Sequence, residues 1–264
     1  MPGKTLRMQR ILNPQSGKTV IIPMDHGGGE GPMMGIEDME TAVREISLGG
    51  ANAIIGHMGM GINAAHAKQP ETAFIYHLSV SSRVNGFDKN DKVLVNSVER
   101  AISMGADGIS VHVNVGSDTE SQQLMDLGFV AGECHKYGIP LIAMMYPRGD
   151  GLTDDPKSLD MVSLAARIGA EMGADIVKTY YTGDKESFSK VVNSCPVPVV
   201  IAGGDVGGNK EVLQMVKDVI DAGGAGVTMG RNAFQHPQRT QFVSALCAIV
   251  HEGSSVEEAL KIFD

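Results

Sequence analysis

The sequence predicts an α/β chain folded as a (β/α)8 TIM barrel, one domain over residues 1–264. Three observations predict it. Short apolar runs alternate with helix-period segments eight times within 264 residues, a length ordinary for such a barrel. The helices end in glycine and lead straight into strands, at Leu48-Gly49-Gly50-Ala51, Met104-Gly105-Ala106-Asp107, Met172-Gly173-Ala174-Asp175 and Asp221-Ala222-Gly223-Gly224-Ala225, with Tyr137-Gly138-Ile139-Pro140 doing the same work. Glycine just past a helix end accepts the left-handed conformation that stops the helix. Finally, the strands are continuous apolar runs, as parallel strands covered on both faces require. An open doubly wound sheet is the alternative, but no glycine-rich dinucleotide fingerprint follows the first strand.

Thr19 to Met24 is the first predicted strand. Ile36 to Leu48 follows as a helix, because Ile36, Met39, Val43 and Ile46 fall on one face. Asn52 to Ile55 is the second strand, and a short helical piece lies near Ile62 to Lys68. Thr72 to Val80 is the third strand. Asp91 reads as an acidic cap opening a helix with Val95, Val98, Ala101 and Ile102 at helical spacing. Gly108 to Val113 is the fourth strand, Glu120 to Tyr137 a helix, and Pro140 to Tyr146 the fifth strand. Asp155-Pro156 supplies a cap and a first-turn proline for a helix reaching Met172. Ile176 to Thr179, Val197 to Ala202 and Ala225 to Met229 are the last three strands, separated by helices at Asp184 to Asn193 and Asn209 to Asp221. Pro237 to His251 and Ser255 to Ile262 are closing helices, with Ser255 and Glu258 at capping-box spacing.

Apolar residues make up 42% and charged residues 20%, so a large core is expected and disorder is not. The formal charge is −9 and no long basic run occurs, which argues against nucleic acid as a partner. An anionic substrate is still compatible, because binding follows the local field. Cys134, Cys195 and Cys247 match no metal or redox spacing and suit a reducing cytoplasm. No apolar run reaches membrane-spanning length, and Lys4, Arg7 and Arg10 precede no apolar stretch of the signal-peptide kind.

Chemistry in this barrel sits at the C-terminal ends of the strands. Those ends carry Asp25, His26 and Gly27-Gly28-Gly29, then His57, His112 with Asn114, Tyr146 with Pro147-Arg148-Gly149, Lys178, Gly203-Gly204, and Gly230-Arg231. Lys178 is the unexpected one, standing at the end of an apolar run. Burying an unpaired ammonium is costly, and the amine tends to lose its proton instead. A neutral amine attacks a carbonyl to form a Schiff base. The plain alternative is a lysine that snorkels to solvent or pairs with Asp175 or Asp184.

An interval of 32 residues separates Asn114 from Tyr146, Tyr146 from Lys178, and Asp25 from His57. If one repeat returns the chain to the same height, Asn114, Tyr146 and Lys178 stand side by side on strands about 5 Å apart. Tyr146 and Asp25 then become a candidate acid and base; a ring covering the barrel mouth and a turn cap are the competing readings. His57, His66 and His112 show no metal-ligand spacing and read as hydrogen-bonded histidines, so no metal is expected. Gly203-Gly204 and Gly230-Arg231 fall where such barrels bind phosphate. Glycine lets backbone N–H groups approach the anion, a helix N-terminus adds to the field, and Arg231 can grip phosphate oxygens in pairs. The expected ligand is a phosphorylated small molecule or a phosphate-bearing cofactor such as FMN.

Five segments, in order, resemble the archaeal-type class I fructose-bisphosphate aldolase family. They are Ile22-Pro23-Met24-Asp25-His26-Gly27, Ser110-Val111-His112-Val113-Asn114-Val115-Gly116, Met144-Met145-Tyr146-Pro147-Arg148-Gly149, Asp175-Ile176-Val177-Lys178-Thr179 and Gly230-Arg231-Asn232-Ala233-Phe234-Gln235. The likeness runs from about Lys4 to the end, and Pro23 to Gly27 with Arg7-Met8-Gln9-Arg10 most resemble a transaldolase branch. The resemblance implies a covalent lysine imine and no cofactor, with Lys178 as the imine lysine, Tyr146 as proton donor and Asp25 as proton acceptor. It implies substrate binding by Asp25, His26, Gly27, Gly28 and Gly29, by Tyr146, Pro147 and Arg148, and by Gly203, Gly204, Gly230 and Arg231. The implied partner is a phosphorylated ketose or aldehyde, in glycolysis or aromatic amino acid biosynthesis. A ring-based homo-oligomer, often a decamer, is implied as well.

Two departures stand out. Where the family has a Pro-Lys-Thr run after Gly203-Gly204, this chain has Asp205-Val206-Gly207-Gly208, an acid where a cation is usual. Gly27-Gly28-Gly29-Glu30 is richer in glycine than usual, so a more mobile loop over Asp25 is expected. Three functions stay open from the sequence: a Schiff-base aldolase or transaldolase, an FMN-dependent barrel enzyme, and a non-catalytic phosphosugar-binding protein.

Overall fold

The computed structural model describes residues 1–82, 84 and 90–264. Its strands, in chain order, are β1 (Thr19–Pro23), β2 (Ala53–Gly56), β3 (Ala73–His77), β4 (Ser79–Val80), β5 (Val93–Leu94), β6 (Gly108–Val115), β7 (Leu141–Pro147), β8 (Ile176–Thr179), β9 (Val199–Ala202) and β10 (Gly226–Thr228). Eight of them close into a barrel in the order β1, β10, β9, β8, β7, β6, β3, β2, while β4 and β5 form a separate antiparallel ribbon. Every barrel pair is parallel. The helices are α1 (Pro2–Ile11), α2 (Gly27–Glu30), α3 (Met39–Leu48), α4 (Met58–Ala64), α5 (Val98–Ser103), α6 (Glu120–Tyr137), α7 (Leu159–Glu171), α8 (Lys185–Ser194), α9 (Asn209–Asp221), α10 (Arg231–Phe234), α11 (Arg239–Glu252) and α12 (Val256–Leu260). This is the predicted TIM barrel.

Strand alternation divides the core into two layers. Ile21, Ile55, Ile75, Ile142, Ile176 and Val200 fill the barrel interior. Their sequence neighbours Ile22, Ile54, Phe74, Ala143, Val177 and Ile201 face the helices. Tyr146 belongs to the interior set, and Lys178, two residues past Ile176, shares its phase.

The helix–glycine–strand junctions form as predicted. Gly50, Gly105, Gly138, Gly173 and Gly223 all have φ between 62° and 95°. The residue opening the next strand then braces its neighbour. The carboxylate of Asp107 accepts the Phe74 N–H at 2.9 Å, that of Asp175 accepts the Leu141 N–H at 2.8 Å, and Asn52 Oδ1 accepts the Val20 N–H at 2.7 Å. Helix α1, not anticipated in the sparsely apolar first residues, crosses this N-terminal end of the barrel. Lys4 pairs with Asp175 at 2.9 Å, Arg10 with Asp107 at 3.0 Å, and Arg7 donates to the Gly138 carbonyl at 3.0 Å. Ile11, flanked by Met8 and Leu12, packs against the interior set.

Several expected boundaries shift. The helix expected from Asp91 begins at Val98, where Ser97 Oγ accepts the Arg100 N–H at 3.2 Å. The stretch before it holds β5, and the Val95 N–H goes to the Leu78 carbonyl at 2.9 Å, which keeps Val95 out of the helix that Val98 opens. The predicted third strand splits: Ala73–His77 stay in the barrel, and Ser79–Val80 turn aside as β4. The helix expected from Asp155-Pro156 starts at Leu159 under a Ser158 cap. Asp155 instead closes a local turn, its carboxylate accepting the Lys157 N–H at 2.7 Å.

The register corrects one expectation directly. Asn114 is level with Tyr146, but Lys178 stands opposite Met144 and Val200. Closing a barrel requires strands to stagger. That stagger brings Tyr180, not Lys178, to the height of Tyr146, and the two phenol rings lie 4.8 Å apart.

Candidate active site

Lys178 enters the interior from β8 and is 6% exposed. Its Nζ lies 4.0 Å from Met144 Sδ and 6.0 Å from the Tyr146 ring centroid. Burial lowers its ammonium to about 8; Arg148 adds to the shift, while Asp25 and Tyr180 oppose it. Both partners that a merely structural lysine could use are engaged elsewhere. Asp175 holds Lys4 and the Leu141 N–H, and Asp184 caps α8 through the Ser187 N–H at 2.8 Å.

Tyr146 is packed among aromatic and cationic groups. Its ring lies 5.0 Å from His112 and 4.8 Å from Tyr180, with the Arg148 guanidinium 4.6 Å from its centroid. Burial raises its hydroxyl above the ordinary phenol range. Arg148 is itself steered by Tyr180, whose hydroxyl accepts its Nε–H.

Asp25 follows β1 in the inward phase. One oxygen lies 3.6 Å from His77 Nε2 and the other 3.7 Å from His26 Nδ1. Burial works against its charge, but His77, His26 and Lys178 outweigh burial and hold the carboxyl below the usual range. His77 is deeply buried, and that burial lowers its imidazole to about 3. Its Nδ1 lies 2.9 Å from Ser110 Oγ, and its carbonyl accepts from His57 Nδ1 at 3.1 Å. His112 Nε2 meets Asn114 Oδ1 at 2.8 Å. These histidines are hydrogen-bonded as the sequence predicted, and His66 is exposed beside Glu40. Among the described residues, no group of three or more His, Cys, Asp or Glu side chains is placed to hold a metal.

The turns after β9 and β10 meet across a narrow gap. A Cβ on Gly203 would fall 2.9 Å from Met229 Cγ, and one on Gly230 would fall 2.5 Å from the His26 ring. Asn232 ties the turns together: its Oδ1 accepts the Gly207 N–H, and its Nδ2 donates to the Gly203 and Asp205 carbonyls, all at 3.0 Å. Arg231 donates to the Gly204 carbonyl at 2.9 Å and pairs with Asp205 at 3.1 Å. The acid that departs from the family pattern thus holds the arginine of the expected phosphate turn. The glycine-rich segment after Asp25 is the single helical turn α2.

Lys178, Tyr146, Asp25, His77 and His112 open onto one cleft of about 1280 Å³ at the C-terminal ends of the strands. Lys178, Tyr146, Asp25, His26, Gly29, Pro147, Arg148, Gly203, Gly204, Gly230 and Arg231 line it. Gly27 and Gly28 do not; Gly28 packs behind the wall, where a Cβ would meet His57 Nε2 at 2.7 Å. Sequence reasoning missed His77, Tyr180 and Lys92 at this cleft, and Ser110 buried behind His77. A trace of it was available: Ser110, His112 and Asn114 alternate through β6, and three polar residues in one phase of an apolar strand mark a polar patch of the interior.

A buried lysine of lowered basicity inside a closed βα barrel, with a carboxylate and a phenol sharing its cleft, defines a Schiff-base (class I) aldolase. The chain belongs to the DeoC/LacD family of aldolases, which it matches over residues 19–236. It is 44% identical over 261 residues to the 2-amino-3,7-dideoxy-D-threo-hept-6-ulosonate synthase 1 of Archaeoglobus fulgidus, covering 99% of this chain and 96% of that one. It is 40% identical over 258 residues to the 2-amino-3,7-dideoxy-D-threo-hept-6-ulosonate synthase of Halobacterium salinarum, covering 98% and 95%. Among solved structures, an archaeal fructose-1,6-bisphosphate aldolase with its catalytic lysine covalently bound to the carbinolamine intermediate matches with a TM-score of 0.86 and 28% identity, over 94% of this chain and 99% of that one.

Proposed function

We propose that the chain makes and breaks a C–C bond of a phosphorylated ketose through an imine on Lys178. The observation that carries this reading is the placement of Lys178: buried, with no carboxylate at ion-pair distance among the described residues, its ammonium lowered to about 8. The neutral amine adds to the ketone carbon; the hydroxyl of the resulting carbinolamine takes a proton from Tyr146 or solvent and leaves as water, giving a protonated imine. Breaking the bond between the next two carbons sends its electron pair into that imine and gives an enamine. Asp25 takes the proton of the hydroxyl that becomes the aldehyde. Tyr146 returns a proton to the sugar oxygen or the enamine carbon. The turns at Gly203-Gly204 and Gly230-Arg231 hold the phosphate, and His26, Gly29, Pro147 and Arg148 shape the cleft around the chain of the sugar.

The relatives' product narrows the substrate class. In a 2-amino-3,7-dideoxy-hept-6-ulosonate the bond made by aldol addition beside the 6-oxo group is C4–C5. Its fragments are a four-carbon amino-acid aldehyde and a three-carbon ketone unit. The extent of the likeness to synthases of this product favours transfer of such a unit to an amino-acid aldehyde. Likeness to the archaeal fructose-1,6-bisphosphate aldolase supports simple cleavage as a second reading. The deciding experiment supplies fructose 1,6-bisphosphate alone, then with L-aspartate semialdehyde as acceptor. A seven-carbon amino acid in the second reaction supports transfer. Borohydride added with substrate should fix the adduct on Lys178; an unchanged mass during turnover rules out the imine.

A further inference from the structure

Lys92 immediately precedes the ribbon strand β5 and lines the active-site cleft, as His112 and Arg148 also do. Its Nζ donates to Ser81 Oγ at 2.6 Å. The chain just before it is held by two side-chain amides. The Asn90 carbonyl accepts from Asn114 Nδ2 at 2.7 Å and from Gln123 Nε2 at 2.8 Å. Gln123 Oε1 in turn accepts the Asn114 N–H at 2.8 Å. Asn114 is 0% and Gln123 1% exposed. A satisfied amide network inside the protein fixes the groups it holds. Asn114, which the repeat spacing set beside Lys178, instead braces the root of Lys92.

The charges around Lys92 are unbalanced. Among the described residues, neither Lys92 nor Arg148 has a carboxylate at ion-pair distance. Burial and the Arg148 charge disfavour the Lys92 ammonium, and among the described residues Asp25 and Glu30 partly offset them. Two cations held in half-buried positions, with no anion between them among the described residues, are costly unless a ligand brings one. Barrel order shows where that place lies. β8, with Lys178, stands between β9 and β7. The Gly203-Gly204 and Gly230-Arg231 turns are on one side; Arg148 and Lys92 are on the other. A substrate reacting at Lys178 reaches both sides with its two ends.

We infer that Lys92 and Arg148 form a second anion site, opposite the Arg231 turn, which takes the carboxylate or phosphate at the far end of the acceptor half of the substrate. Lys92 is thereby a specificity-determining residue for acceptors that carry an anion. The inference rests on the proposed aldol reaction and on phosphate binding at Arg231.

The test is calorimetric titration with three ligands that cannot react: D-glucitol 6-phosphate, D-glucitol 1,6-bisphosphate and 6-phosphogluconate. The unaltered protein should bind the two doubly anionic ligands at least about tenfold more tightly than the monophosphate, the size of one charge-assisted contact. Lys92→Met should abolish that advantage and leave monophosphate affinity within about twofold, while Lys92→Arg should keep most of it. The tighter of the two doubly anionic ligands tells whether the site is built for phosphate or carboxylate. If Lys92→Met weakens all three equally, or spares the advantage, the second site is wrong. Arg231→Ala separates the two readings: it should weaken all three ligands. No binding of any of them, or no effect of Arg231→Ala, overturns the phosphate assignment on which the inference stands.

Discussion

Lys178 sits where its charge is disfavoured, and that has consequences for both stability and rate. Its folded value, about 8, lies below the ordinary 10.5. Between those values the unfolded chain holds a proton that the folded chain has released. Stability therefore rises with pH through this window and carries the full penalty below about 8. Lys178→Met should be more stable than the parent at pH 7, by on the order of 3 kcal/mol, with the gap fading towards pH 10.5. Urea denaturation at pH 7 and pH 10 checks this; a variant no more stable at pH 7 refutes the burial argument. The neutral amine fraction falls tenfold for each pH unit below the amine's midpoint, so kcat/KM should climb from pH 6 to about 8 and then level. Lys178→Met should lose turnover and borohydride trapping together. Tyr146→Phe should keep trapping and slow turnover about a hundredfold or more, as loss of a general acid does. A Tyr146→Phe enzyme of normal rate leaves the ring as mere cover for the barrel mouth.

At the scale of the element, the helix–glycine–strand junction does two jobs, and only one was legible. Glycine after an apolar helix face announces the turn, because the left-handed conformation is a property of the residue itself. The bracing by Asp107, Asp175 and Asn52 is not local: the N–H each accepts lies 33, 34 and 32 residues away on another strand. The same limit explains the misplaced Lys178. Equal spacing locates a residue along its own strand, but the stagger between strands belongs to the closed sheet. The ribbon was hidden because Val95 keeps helical spacing with Val98, yet its N–H bonds to the Leu78 carbonyl beside the paired Val93 and Leu94. Strand-end position singled out Asp25, Tyr146 and Lys178, but a continuous apolar run does not reveal its phase, so their inward direction was visible only in the folded strands. The junction also predicts a stability order. Asp175→Ala leaves the Leu141 N–H without its acceptor and should cost about 1–3 kcal/mol. Lys4→Met removes only a half-exposed ion pair and should cost less than about 1 kcal/mol. Equal costs in urea denaturation contradict the brace.

The whole molecule pairs a closed barrel with a mouth rich in polar and charged groups, and no helix among the described residues is long and apolar enough to cross a membrane. Chelation is expected to leave turnover intact, because the proposed imine supplies the electron sink that a metal provides in other aldolases; activity lost to chelator and restored by zinc contradicts this. Met125 and Phe129, 68% and 66% exposed and four residues apart on α6, are the surface on which the homo-oligomer implied by the family resemblance is most simply tested. Met125→Glu with Phe129→Glu should lower the sedimentation coefficient, and a parent that already sediments as a monomer removes the expectation. Helix α1 has a further consequence, during synthesis. It docks on Asp107 and Asp175, so Lys4 finds its partner only when a residue 171 positions further on has been translated. Until then Lys4, Arg7 and Arg10 ride on an undocked arm. Ribosome-held chains ending before residue 141 should leave residues 2–11 open to protease, whereas chains long enough to free Leu141 and Asp175 from the exit tunnel should protect them.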